Sequence, residues 1–280
     1  MNKYNFRHPL SDKTNYITDR KIIIGSNIIE YDIKQANINI LKAYGDLNEF
    51  EYYNIMKADK VSREIMIGRK IQMEKMSNKD EKSPIAEHIR DGIKLAKDNL
   101  LVTNNIDPNE VVRIANDAVY IERQLPLQQT SFDILNNGHR IMFVDKGHFS
   151  SFIKLGRVSV FLRIESDENL VVDVKGINDE LVPLHQPFLG FICNILFYLE
   201  RTDIPTTLQV YNEFYEEYIN RSLPIEYYRE FNSDSDIRIN SPHRFYGGRF
   251  LDEKYKNMAD INYNLLMLRE IYAIILSLSS

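Results

Sequence analysis

The spacing of apolar positions divides the chain into segments of different period. Residues 20–33, "RKIIIGSNIIEYDI", carry two short β-branched runs around a Gly-Ser-Asn break, which is the pattern of a hairpin. From Ala36 the period lengthens toward that of a helix, and residues 57–79 continue it with Val61, Ile65 and Gly68 on one side. Ser83-Pro84 opens a further helix, with Ser as N-cap and Pro at the first helical position. Ile85, Ile89, Ile93, Ala96 and Leu100 then recur at helical spacing and define one apolar face. "TNNIDP" ends that helix, because Asn-Asn and the residue before a proline both oppose continuation.

The period changes again at "EVVRIANDAVYIER" (110–123). Two β-branched runs flank a small polar turn, so a tight hairpin is expected with Asp117 at its tip. Residues 141–177 read as three or four strands with a turn at Ser166-Asp167-Glu168-Asn169. From Pro187 to the end the pattern is mostly helical, interrupted by "NSDSDIRINSPHRFYGGRF". The expected fold class is α+β. An antiparallel sheet is drawn from residues 1–45 and 106–180, residues 46–105 form a helical insertion, and residues 181–280 form a helical C-terminal region.

Composition narrows the function classes. The chain has 280 residues, with 44% hydrophobic and 27% charged, which suits a soluble globular protein of one large or two small domains. The richness in Ile, Asn and Lys, with no Trp, reads as the coding bias of low-GC bacteria and their phages. A net charge of -5 argues against a surface that binds nucleic acid everywhere, but leaves room for a local basic track. Such a track lies at 57–79, where seven Lys and Arg face three acids. Cys193 stands alone inside "FLGFICNILFYL" and reads as packing, so neither an intrachain disulfide nor a Cys-x-x-Cys zinc site is expected. The N-terminus lacks the apolar region of a signal peptide. The longest apolar run, 187–199, is too short to span a bilayer, so a cytoplasmic protein with no membrane partner is expected.

The candidate chemistry rests on two aspartates. Asp32 ends a core-directed strand, and Asp117 sits at a hairpin tip on the far side of a long helical stretch. Taken singly, Asp32 is an ordinary helix cap and Asp117 ordinary turn chemistry. If the hairpin packs beside the first strand, both carboxylates meet. Hard oxygen ligands on rigid β structure suit Mg²⁺, which uses one or two carboxylates plus substrate phosphates. The basic helix between them carries Arg63, Arg69 and Lys70, which are candidates to hold a triphosphate.

This order resembles the palm of template-dependent DNA polymerases, family B most of all. "DIKQANINI" (32–40) lies without gaps on the motif D-F-N-S-L-Y-P-S-I, with Asp32 on the metal-binding aspartate. "RIANDAVY" (113–120) lies on Y-G-D-T-D-S-I-Y, with Asp117 on its second aspartate. "DKGHFSSF" and "DVKGI" are similar to the later lysine-containing elements. Family A palms are similar too, D-Y-S-Q-I-E-L comparing with "DIKQANI" and H-D-E-V with "NDAV". The resemblance covers roughly residues 20–180 and implies a palm-like sheet, a fingers-like insertion and a thumb-like C-terminal region. It implies Asp32 and Asp117 as catalytic ligands of Mg²⁺ or Mn²⁺. It also implies Asn37, Arg63, Arg69 and Lys70 as nucleotide contacts and Lys146 and Lys175 as primer-template contacts, with nucleoside triphosphates as substrates. Ala115 replaces the first hairpin aspartate, Asn37 replaces the tyrosine under the sugar, the fingers motif is missing, and nothing matches a proofreading exonuclease domain. A palm that has lost catalysis and binds nucleic acid or protein, phage-encoded, is therefore the alternative. A structural protein without a palm stays open.

Overall fold

A computed structural model describes residues 6–77, 83–166, 169–228, 231 and 260–279. The architecture is α+β with antiparallel sheets. The chain divides into two compact units. One comprises Met1–Thr18 with Ile28–Gly147, the other Asp19–Asn27 with His148–Ser280.

The first unit is built on a six-stranded sheet of order β1-β4-β5-β3-β7-β6. Its strands are β1 (Asn15–Ile17), β3 (Ile28–Ile33), β4 (Val111–Ala115), β5 (Ala118–Glu122), β6 (Ser131–Phe132) and β7 (Ile141–Phe149). β4 and β5 form the expected hairpin, with Ala115 opposite Ala118 and the two-residue turn Asn116-Asp117 between them. Asn116 takes a positive φ of 54°, a conformation that asparagine tolerates better than most residues. β5 then lies beside β3, pairing Tyr31 with Val119 and Asp32 with Ala118.

Because side chains alternate along a strand, Ile29, Tyr31 and Ile33 of β3 point to one face. There they join Val119 and Ile121 and pack on helices α1 (Ala36–Tyr44) and α4 (Pro84–Thr103). Ile40 of α1 and Ala96 and Leu100 of α4 complete that core. The two helices touch at Gly92, where an added Cβ would lie 2.3 Å from a methyl carbon of Ile40. α2 (Glu49–Lys57) and α3 (Lys60–Ser77) form a smaller cluster with α1 and α4, centred on Leu41, Leu47, Ile55, Ile67 and Ile85. Ser83 is the N-cap of α4 and Pro84 its first residue, but the Ser83 side chain does not cap. Its hydroxyl donates to Glu74 of α3, and the same carboxylate accepts the Ile85 N–H at 3.1 Å.

The second unit holds a four-stranded sheet of order β10-β9-β8-β2. Its strands are β2 (Ile22–Ile23), β8 (Ser151–Leu155), β9 (Val158–Ser166) and β10 (Asn169–Lys175). α5 (Gln186–Glu200), α6 (Ile204–Asn220) and α7 (Asp260–Leu278) pack in the same core, which buries Ile192, Ile195, Leu196, Leu268, Ile271 and Ile275. Cys193 lies in this core, and burial pushes its thiol up to about 12, so it is an inert packing group at neutral pH.

Several expectations change. Residues 20–33 are not a hairpin: β2 pairs with β8, and β3 with β5 in the other sheet. Strands β8 to β10, grouped by sequence with the first sheet, belong to the second unit with the C-terminal helices. α4, grouped with the helical insertion, is part of the first sheet's core through Ala96, Leu100 and Leu101. The apolar run near 187–199 is extended by a preceding 3₁₀ turn, so Val182–Glu200 is long and apolar enough to cross a membrane, while half of it is buried in the fold. The "HRFYGGRF" segment (243–250) lies outside the described residues.

Candidate functional site

The site lies in the first unit, where β3 ends and the β4–β5 hairpin turns. The register that puts Asp32 opposite Ala118 brings it beside the chain neighbour Asp117. Asp117 is pushed above the ordinary carboxylate range, first by burial and then by the negative charge of Asp32. Lys97 and Lys146 act in the other direction and favour its ionised form. Lys146, on β7, has its ammonium 3.5 Å from Asp32 Oδ2, with 53% of its side chain exposed.

Lys97 is the residue that sequence reasoning missed. It lies on α4 and is fully buried. Its Nζ donates to the Lys13 carbonyl, and its charge is felt by Asp12 and Asp117. Burial depresses it from 10.5 to about 8, helped by Lys94 and opposed by the two aspartates. A signal was present: Lys97 follows Ile93 by four residues and precedes Leu101 by four, a position that faces the core. A lysine there needs an internal partner.

The N-terminal segment holds this corner in place. Backbone N–H groups of Arg7 and His8 donate to Asp98 Oδ1 at 3.0 and 2.9 Å. The Asn116 N–H donates to the Thr14 carbonyl at 2.7 Å, so the hairpin tip is tied to the strand entering β1. The result is two carboxylates and two ammonium groups on well-anchored backbone.

The other expected residues are placed less favourably. Asn37 is exposed on the first turn of α1, and the buried asparagine of that helix is Asn39, which donates to the Lys34 carbonyl and accepts from the Tyr52 hydroxyl. Arg63, Arg69 and Lys70 all lie on α3, but not as one group. At about 100° per residue Arg69 points some 100° or more away from the other two. Lys70 is also held by Glu51 at 2.8 Å. Lys175 belongs to the second unit and pairs with Asp173 at 3.0 Å.

The pair fits a divalent cation in one respect: two crowded carboxylates, one of them destabilised by the other, are relieved by a shared positive charge. Hard oxygen donors of this kind suit Mg²⁺ or Mn²⁺ with further ligands from substrate. Among the described residues no group of three or more His, Cys, Asp or Glu could hold a metal.

Residues 6–277 match the family described as Bacteriophage PBS1 gene 130 protein. The chain belongs to that family. The site therefore sits in a phage-type protein, in keeping with the coding bias of the sequence. No curated protein matches the chain.

Proposed function

We propose that this protein is a nucleotidyltransferase with a palm-like centre, acting on nucleic acid with nucleoside triphosphates. The observation that supports this reading is the convergence of Asp32 and Asp117 at one end of an antiparallel sheet backed by α1 and α4. A palm resemblance requires both aspartates to reach one place, and the fold brings them there by non-local pairing.

In this reading Asp32 and Asp117 hold Mg²⁺ or Mn²⁺ together with the substrate phosphates. When bound, the cation supplies charge neutralisation at the transferred phosphoryl group and activation of the attacking hydroxyl. The charge of Lys97 favours the ionised form of Asp117, against burial and Asp32. Lys146 is mostly exposed, so its ammonium can leave Asp32 for a phosphate oxygen when the substrate arrives. The tether from Thr14 to Asn116 fixes the hairpin tip, which spares the site reorganisation when charge develops. In this reading the protein acts in the cytoplasm.

A second reading is supported by the same lysines. Lys146 and Lys97 already supply positive charge beside the carboxylates, so the site can be a palm-like relic serving as a binding module. Extension of a labelled primer on a template, with Mg²⁺ or Mn²⁺ and all nucleotides, separates the two. The enzyme reading expects product in the wild type and a loss on the order of a thousandfold in Asp32→Asn, about 4 kcal/mol of transition-state stabilisation. Absence of product on all templates, with no stabilisation by either cation, favours the relic.

A further inference from the structure

The second unit holds a cavity that the proposed chemistry does not use. It measures about 400 Å³, which is within the range of small-molecule sites. One wall is β10, which among the described residues is the last strand of its sheet and pairs only with β9. The cavity touches Val172, Asp173 and Val174 in succession. Successive side chains of a strand point to opposite faces, so a cavity that meets all three opens at the strand's edge.

The other wall is α5. Gln186, Leu189, Gly190 and Cys193 line it at the three- and four-residue spacing that shares one helix face. Gly190 has nothing within 4 Å of where a Cβ would stand, so a longer side chain there would project into the cavity. At this point the fold leaves room where a side chain could have filled it.

The lining selects the chemistry of an occupant. Val172, Val174, Val182 and Leu189 supply apolar surface. Among the lining residues there is no Lys, Arg or His, and the acids are Asp173 and Asp179. Lys175 lies 3.0 Å from Asp173 and offsets its charge. Asp179 is exposed and forms no ion pair among the described residues. The Cys193 thiol is 6% exposed and has no hydrogen-bond partner among the described residues. A phosphate or carboxylate would meet negative charge here without a cation to receive it. A wholly apolar molecule would take water from Asp179 and give nothing back. A molecule with an apolar body and an ammonium head satisfies both, the body against the valines and Leu189 and the head donating to Asp179.

We propose that this cavity binds a small organic amine, protonated at its head and apolar in its body. The inference does not depend on the activity proposed for the first unit.

The test uses the full chain and 2-phenylethylamine, a cation at neutral pH, followed by NMR of the valine and leucine methyl groups. Saturable shifts at Val172, Val174 and Leu189 are expected below about 10 mM, since a ligand this small binds weakly. 2-Phenylethanol, of the same shape without charge, should bind about tenfold more weakly, and phenylacetate should not bind. Gly190→Leu should abolish binding by filling the cavity, and Asp179→Asn should weaken it about fivefold or more. Both positions are exposed, and leucine is a better helix former than glycine, so thermal unfolding of both variants should match or exceed the wild type. Absence of saturable shifts, or equal binding of either analogue, overturns the proposal. So does binding that neither substitution weakens, or shifts confined to other parts of the chain.

Discussion

Asp32 stands opposite Ala118 across the sheet, one residue along from Asp117, and its negative charge helps to push the Asp117 carboxyl up. Neither residue is unusual alone. Their proximity is produced by the β3–β5 register, and a one-residue slip would turn Asp32 to the other face.

The coupling has a consequence for titration. Removing the charge in Asp32→Asn should bring the Asp117 carboxyl back toward the ordinary range, readable by ¹³C NMR of the side chain. An unchanged Asp117 titration would mean that the carboxylates do not sense each other. The linked stability effect has a definite sign. A carboxyl raised on folding contributes stability below its unfolded value near 3.8, and loses it as pH rises through the higher folded value. Asp117→Asn cannot ionise, so relative to wild type it should gain stability across that window, as measured by urea unfolding at a series of pH values.

Lys97 carries the opposite sign. Its folded value of about 8 lies below 10.5, so the folded state binds fewer protons between those values. Wild-type stability should therefore rise from pH 8 to 10.5 by up to roughly 3 kcal/mol, at 1.36 kcal/mol per unit. Lys97→Met should lack this rise. The comparison must be read as a difference between the two proteins, because exposed lysines titrate in both. A parallel pH dependence in the variant would show that Lys97 is solvated.

Two glycines should respond in opposite directions. Gly92→Ala drives a methyl group into Ile40 at the α1–α4 contact, and should cost about 1–3 kcal/mol. Gly68→Ala meets nothing and replaces a poor helix former in an exposed turn of α3, so it should gain about 0.5–1 kcal/mol. Thermal and urea unfolding of the two variants measure both.

These contrasts follow how much the chain disclosed. The β4–β5 hairpin, with Asp117 in its turn, was legible because both partners and the turn lie within one short segment. The α4 face was legible because its period is sustained over several turns. The partners of β2 and β3 were not. Two β-branched runs around Gly25 look the same whether they pair with each other or, as here, with β8 and β5 far along the chain. Lys97 was hidden for a related reason. A charged residue at a core-facing position has meaning only once its partner is known, and Lys13 and Asp117 are distant in sequence. On α3, the local excess of basic residues was legible but gave no notice that Lys70 would be taken by Glu51.

The central claim is that Asp32 and Asp117 act together as one cation site, and Mn²⁺ binding tests it most directly. Enhancement of water proton relaxation on titrating Mn²⁺ reports bound metal without requiring turnover. Wild type should bind saturably. Asp32→Asn and Asp117→Asn should each abolish most of that binding, while Asp173→Asn in the second unit leaves it intact. Equal Mn²⁺ binding in wild type and in both site variants would contradict the account.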